Sequence, residues 1–390
     1  MKYNWEIKSL ADIVQLNPKE SIAKGTIAKK VPMDKLHPFC RDIPEYIFEK
    51  FNGGTKFRNG DTIMARITPC LENGKTAKVD ILNDGEIGFG STEYIVFRAI
   101  DGISDADYLY YLICSPSVRN PAIKSMIGSS GRQRVQIDVI ENLQIEVPPL
   151  EGQRKIGSLL KSLDDKIALN NRINDNLQQQ AQAIFEKEFL TVQTLPEGWK
   201  QASLIDIADY QNGLAMQKYR PEDGEIGIPV LKIKELRQGC CDDSSEVCSP
   251  NIKSDYIIHD GDVVFSWSGS LLVDLWCGGI CGLNQHLFKV TSTKYDKWFY
   301  YAWTKHHLNR FIAVAADKAT TMGHIKRDEL AKAEVLIPVK DDYKRIGELL
   351  KPTYGLIIAN RIENKRLSET RDTLLPKLMS GEIDVSNVQF

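Results

Sequence analysis

The stretch Gln153-Arg154-Lys155-Ile156-Gly157-Ser158-Leu159-Leu160-Lys161-Ser162-Leu163 decides how the chain is read. From Ile156 the seam runs Leu160, Leu163, Ile167, Asn170, Asn174 and Leu177, in alternating steps of four and three. That is the spacing of a helix with an apolar seam of the coiled-coil kind. Near the other end, Lys344-Arg345-Ile346-Gly347-Glu348-Leu349-Leu350-Lys351 repeats the pattern and continues past Ile357, Asn360, Asn364, Leu367 and Leu374. Ile156, Leu160, Ile167, Asn170, Asn174, Leu177 and Ile184 each meet a residue of like character 190 positions on, without a gap. A stripe of this kind needs a partner to cover it, and each copy is the natural partner of the other. At about 1.5 Å per residue, each helix would be a rod of roughly 55 to 60 Å. The asparagines weaken the seam; they either fix its register or mark a solvated helix end. Pro352 is expected to kink the second helix or to end a short first segment.

The repeat reaches beyond the helices. Trp5, Ser9, Leu10, Asp12 and Ile13 recur as Trp199, Ser203, Leu204, Asp206 and Ile207, 194 residues on. Gly60-Asp61 and the strand after it recur at Gly261-Asp262, 201 on, and Gly90 to Ile95 recurs loosely at Gly282 to Leu287, 192 on. Tyr110-Tyr111 and Pro148 then recur at Tyr300-Tyr301 and Pro338, both 190 on. Two tandem homologous globules follow, each with its own long helix, and their length differences fall in loops. Strands are expected around Ile63–Ile67, Ala77–Ile81 and Tyr94–Phe97, with an aromatic helix from Ala106 to Cys114 whose rings serve the core rather than base stacking. The fold class is mixed α/β (α+β): two globules separated by a long antiparallel two-helix coiled coil, with pseudo-twofold equivalence. The divisions are residues 1–150, a helix over 151–190, a second globule over 191–340, a helix over 341–380 and a tail, 381–390.

Composition narrows the function classes. The 390 residues are 42% apolar and 26% charged with a formal net charge of −2, so nucleic-acid binding must rest on local patches. The N-terminus lacks an apolar signal core and no apolar run approaches membrane length, so the expected location is the cytoplasm. Eight cysteines at irregular spacing do not form a disulfide framework. Cys277 and Cys281 with Cys240, Cys241 and Cys248 could hold zinc, but no C-x₂-C pair is present, which favours reduced, buried thiols; no metal is expected. Gly74-Lys75-Thr76 is not a phosphate loop, because Pro69 stands where that motif needs glycine. Asn120-Pro121-Ala122-Ile123 lacks the second proline and the aromatic of an amino-methyltransferase motif. No H-E-x-x-H, G-x-S-x-G or dinucleotide glycine fingerprint occurs, and no catalytic residue is assigned.

Polar loops with phosphate donors and base-edge readers remain. Arg132, Gln133 and Arg134 in the first half, and Thr320, Thr321, His324 and Lys326 in the second, can supply guanidinium, amide and hydroxyl groups to DNA. Arg66 and Lys75 in the first half, and Trp267, Asn284, Gln285 and His286 in the second, complete the candidate DNA-binding set.

Taken together, the chain resembles the specificity subunits of type I restriction-modification enzymes along essentially its whole length. The resemblance rests on the Trp-x₄-Leu-x-Asp-Ile opening of each half, the Gly-Asp strand, the repeated helix, and above all the junction Val147-Pro148-Pro149-Leu150-Glu151-Gly152-Gln153-Arg154-Lys155-Ile156. In the second half that junction has decayed, with Tyr343 where Gln153 stands. The resemblance implies two target recognition domains, each reading one half of a split, asymmetric double-stranded DNA site, and a coiled coil that sets the unread spacer. It implies no active site and no cofactor on this chain. Its partners would be two modification subunits that methylate adenine N6 with S-adenosylmethionine, and through them restriction subunits that use ATP and Mg to translocate and cut DNA. The alternatives are an orphan specificity-like scaffold that binds modification subunits without sequence preference, or a diverged single-chain DNA methyltransferase.

Overall fold

The computed structural model describes residues 3–317, 325 and 327–388. It divides into two compact units: unit 1 is Met1–Ala168 with Leu367–Phe390, and unit 2 is Leu169–Arg366. Unit 1 carries strands β1 (Glu6–Ser9), β2 (Val14–Leu16), β3 (Ile27–Val31), β4 (Ile47–Lys50), β5 (Thr55–Phe57), β6 (Thr62–Ala65), β7 (Thr76–Lys78), β8 (Gly88–Gly90), β9 (Tyr94–Ala99) and β10 (Gln144–Val147). Unit 2 carries β11 (Lys200–Ser203), β12 (Asp209–Asn212), β13 (Ile228–Leu231), β14 (Val247–Cys248), β15 (Ile257–Ile258), β16 (Val263–Ser266), β17 (Leu272–Leu275), β18 (Cys281–Leu283), β19 (Leu287–Thr291) and β20 (Glu334–Ile337).

The sheet orders β2-β9-β6-β7, β4-β3-β8-β5 and β1-β10 return in unit 2 as β12-β19-β16-β17, β14-β13-β18-β15 and β11-β20. Even the parallel strand pairing is repeated, β3 with β8 and β13 with β18. The duplication read in the sequence is therefore a duplication of topology. The middle strands are mostly apolar because both faces are covered. On β6 and β9, Ile63, Tyr94 and Val96 turn toward Phe57 and Val31, while Met64, Ile95 and Phe97 turn toward the aromatic helix.

Helices are numbered in chain order. In unit 1, α1 (Ala106–Cys114), α2 (Pro116–Lys124) and α3 (Ile137–Glu141) precede the long α4 (Leu150–Phe185). In unit 2, α5 (Leu204–Ile207), α6 (Ile233–Gln238), α7 (Lys297–His306), α8 (Leu308–Asp317) and α9 (Arg327–Ala331) precede the long α10 (Lys340–Met379). The rings of Tyr108, Tyr110 and Tyr111 on α1 are buried, as core residues should be. Pro352 does not end α10, which runs through it. The proline and Glu348, whose carbonyl it leaves unpaired, both lie on the exposed face, where water can satisfy that oxygen. Among the described residues no helix is long and apolar enough to cross a membrane.

Both units contain a stretch where α4 and α10 pair in opposite directions. In unit 1, Arg371 Nη1 donates to Asp164 Oδ1 at 2.7 Å, and Tyr111 Oη donates to Asp164 Oδ2 at 2.6 Å. In unit 2, Phe185 and Phe189 pack in one core with Ile346, Leu350 and Tyr354. There Asn170 Nδ2 donates to Glu363 Oε2 (2.7 Å) and to Asn364 Oδ1 (2.9 Å), and Asn360 Nδ2 donates to Asn174 Oδ1 (2.9 Å). Asn170, Asn174 and Asn360 are 0%, 4% and 9% exposed, so these are register-setting seam residues and not a solvated end. Each asparagine meets the counterpart of the other, Asn170 with Asn364 and Asn174 with Asn360. Such reciprocity marks a contact between two copies of one surface.

Each long helix is locked to its globule at the same place. Gln153 is buried; its Oε1 accepts from Asp105 N at 3.0 Å, and its Nε2 donates to Ile103 O and Pro148 O, each at 3.1 Å. In unit 2 the phenol oxygen of Tyr343 accepts from Asp296 N at 2.7 Å, so the decayed motif still satisfies the N-cap residue of the aromatic helix. A Cβ at Gly157 would stand 2.7 Å from Tyr108 N, and one at Gly347 would stand 3.1 Å from Trp298 Nε1. Glycine in both copies lets the long helix approach the globule closely.

Two outcomes follow. Asn174→Leu alone leaves the Asn360 amide buried without its partner and should cost about 1–3 kcal/mol in urea unfolding, whereas Asn174→Leu with Asn360→Leu should cost less than the two single changes added together. The second concerns His307, buried with its Nε2 2.8 Å from Glu334 O. Burial pushes its imidazole down to about 4. The unfolded chain therefore binds a proton near pH 6.5 that the folded chain refuses, and stability falls as pH drops from about 6.5 toward 4. Urea midpoints over that window should slope less in His307→Gln.

Candidate nucleic-acid interface

In unit 1, three segments meet at one end of the β6–β9 pair: the chain leaving β6 at Arg66, the turn Ser91 to Glu93, and the loop 127–134. Arg66 N donates to Glu93 O at 2.9 Å, and Val135 N donates to Arg66 O at 2.9 Å. Thr68 N donates to Gln133 O, and Gln133 N donates to Thr68 Oγ1, each at 3.0 Å. Unit 2 builds the same frame: Trp267 N donates to His286 O at 3.4 Å, and Ile325 N donates to Trp267 O at 3.0 Å. Trp267 thus stands where Arg66 stands, and His286 where Glu93 stands.

This registers the two turns 193 residues apart, one more than the sequence comparison suggested. The strand pairing agrees, since Ile63 faces Val96 and its counterpart Val264 faces Lys289. The slip arose because only the pairing partner, and not the loosely similar turn residues, fixes the count.

The side chains on the shared frame differ. In unit 1, Arg134 brackets Glu93, with Nη2 2.6 Å from Oε1 and Nε 3.0 Å from both carboxylate oxygens. That guanidinium holds the Glu93 carboxyl below its usual range. Arg66 is half-buried, and its Nε is enclosed without an acceptor among the described residues. Arg132 is exposed, and neither its guanidinium nor the Gln133 amide makes a hydrogen bond among the described residues. In unit 2, Trp267 lies against His286, ring centroids 6.1 Å apart, and against Phe288 at 5.7 Å. The His286 ring bonds Ser268 Oγ through Nδ1 at 3.1 Å and meets Gln285 Nε2 at 3.3 Å through Nε2.

Two candidates are engaged within their own globules. Lys75 is half-buried and its Nζ donates to Met33 O at 2.8 Å, so its charge is spent on a backbone carbonyl inside the globule. Asn284 is 3% exposed; its Oδ1 accepts from His286 N and its own N donates to Leu231 O, both at 3.2 Å, so it closes the turn that presents its neighbours. Thr320, Thr321, His324 and Lys326 lie outside the described residues. Glu93, which anchors Arg134, was not among the candidates, because pairing across 41 residues leaves no local mark in sequence. All eight cysteines are free, and among the described residues no group of three or more His, Cys, Asp or Glu could hold a metal ion.

A family profile described as type I restriction modification DNA specificity domain matches residues 2–179 and 196–369, most of both halves. The chain is similar to the type I restriction enzyme MjaIX specificity subunit of Methanocaldococcus jannaschii, 25% identical over 74% of this chain and 71% of that protein. It is also similar to the MjaVIII specificity subunit of the same organism, 24% identical over 99% of this chain and 95% of that one. The crystal structure of a type I restriction-modification S subunit from M. genitalium superposes with a TM-score of 0.59 at 14% identity, covering 97% of this chain and 96% of that one, which establishes likeness of fold.

The geometry separates exposed side chains from buried supports. Arg132→Ala should leave the urea midpoint within experimental scatter, as expected for an exposed residue. Asn284→Ala should cost about 1–2 kcal/mol of unfolding free energy through the lost turn. An equal effect of the two on stability would contradict this division.

Proposed function

The chain belongs to the type I restriction-modification DNA specificity family, as its non-catalytic specificity component, and from that membership we propose that its two globules read the two halves of a split, asymmetric DNA site. The observation that carries the reading is the repeated frame with unlike side chains, Arg66 and Glu93 in one unit and Trp267 and His286 in the other. One backbone geometry presents two chemistries, which is what two unequal half-sites require. Arg66, Arg132, Gln133 and Arg134 supply guanidinium forks and an amide suited to guanine and adenine edges in the major groove. Trp267, Gln285 and His286 supply a ring edge, an amide and an imidazole. The recognition domains are residues 1–150 and 191–340, and the paired helices over 151–190 and 341–380 fix the number of base pairs left unread.

The same reading assigns the chain a scaffolding role. It binds two modification subunits, which take S-adenosylmethionine for adenine N6 methylation, and through them restriction subunits driven by ATP with Mg. A net charge of −2 supports such sharing, because phosphate contacts that one chain does not make must come from its partners.

The test is a domain exchange in the assembled methyltransferase. Replacing residues 1–150 by the recognition domain of a relative and sequencing the methylated adenines should change one half of the modified site and leave the other half and the spacer unchanged. A change in both halves, or in neither, overturns the assignment of one half-site to each globule.

A further inference from the structure

Unit 2 holds a pair of thiols that the DNA-reading function does not use. Cys281 lies on β18 and is fully buried, while Cys241 sits half-buried in the segment that links α6 to β14. Their sulfurs are 3.4 Å apart, in contact without a covalent bond. Gly239, in the left-handed conformation at φ 79°, ends α6 and turns the chain so that Cys241 faces β18. The remaining thiols are placed differently: Cys240 bonds Gln238 Nε2 at 3.4 Å, Cys277 points at Leu275 O at 3.6 Å, and Cys248 is packed over Gly282.

We propose that Cys241 and Cys281 form a reversible oxidation site, in which a peroxide converts the two thiols into a disulfide that ties the 239–247 segment to β18. The balance is simple. The Cys241 sulfur attacks one peroxide oxygen, the O–O bond breaks, and the products are Cys241 sulfenic acid and water. The Cys281 sulfur then displaces that hydroxyl as a second water, so two thiols each give one electron and the peroxide takes two. Accessibility sets the order, since the half-buried Cys241 meets the oxidant first and the enclosed Cys281 resolves it. The contact favours the same order: the Cys281 S–H holds the Cys241 thiol below its ordinary value, while the same contact, reinforced by burial, pushes the Cys281 thiol up.

The position matters because β18 runs directly into the turn that carries Gln285 and His286. Leu283 pairs with Leu231 of β13 and its carbonyl accepts from Leu214 N at 2.9 Å, while Cys281 and Gly282 pair with β15, so the strand is held on both edges already. A disulfide at Cys281 would fix the neighbouring 239–247 segment to the same strand, in the half of the molecule whose turn carries Gln285 and His286.

The experiment is thiol counting and peptide mapping on the full chain after brief treatment with hydrogen peroxide. Two of the eight thiols should be lost, joined as a Cys241–Cys281 peptide pair, and both should return with dithiothreitol. In Cys281→Ser the pair should vanish and Cys241 should advance to sulfinic acid. Far-ultraviolet circular dichroism and an unfolding midpoint confirm that this variant is folded; if it is not, the mapping of the unaltered chain decides alone. Accumulation of Cys241 sulfenic or sulfinic acid in the unaltered chain with Cys281 still free, or a bond from either residue to a third cysteine, overturns the proposal.

Discussion

The structure depends on the burial of one helical stripe against another. A helix of 36 residues with an apolar seam has no stable way to face water alone, and α10 brings the matching stripe from the far end of the chain. Apolar packing alone would tolerate sliding by a heptad. The asparagines remove that freedom, since a slip would leave the Asn170, Asn174 and Asn360 amides buried with no partner, at a cost of about 1–3 kcal/mol for each. Their reciprocal bonding also explains why duplication produced a workable protein: a surface that pairs with its own copy needs no second surface to evolve.

Divergence then proceeded where the pairing does not forbid it. Unit 1 closes its end of the helix pair with the chain Tyr111, Asp164 and Arg371, a buried polar network. At the positions 190 residues away, unit 2 has Tyr301 edge-on to Tyr354, ring centroids 5.1 Å apart, with Ala181 beneath. One end is held by charge and the other by aromatic packing. The junctions diverged in the same manner, Gln153 and Tyr343 doing one job with different atoms. What persisted through these changes was the satisfaction of the N-cap backbone N–H, not the residue that satisfies it.

This marks how far the sequence could be read. The seam, the duplication, the aromatic helix and the absence of a catalytic motif were legible because each is a local period or a repeated string. The seam asparagines were only half legible: their spacing placed them on the stripe, but burial depends on a partner nearly two hundred residues away. Lys75 and Asn284 looked like readers because polar residues in loops usually face water. In the fold one is consumed by the Met33 carbonyl and the other by its own turn. Pro352 was expected to kink the second helix or to end a short first segment; the helix runs through it, and its cost falls on an exposed face where solvent makes good the missing bond. Each of these differences concerns where polar groups find their hydrogen-bond partners, which periodicity does not encode.

The charge distribution gives the two reader frames different physics. In unit 1, Arg134 is already neutralised by Glu93, so for it to reach a base or phosphate the carboxylate must give up that bracket. Such an exchange adds little net attraction and much selectivity, because a partner that does not replace the carboxylate geometry leaves a guanidinium unpaired. In unit 2 the described part of the frame offers an indole, an amide and an imidazole, groups that on the proposed reading discriminate by shape and hydrogen bonding. Among the described residues, neither frame gathers the diffuse cationic attraction that holds proteins on DNA nonspecifically. On the proposed reading such frames choose the site, and the force that keeps a complex on the duplex falls to the surfaces assembled around them.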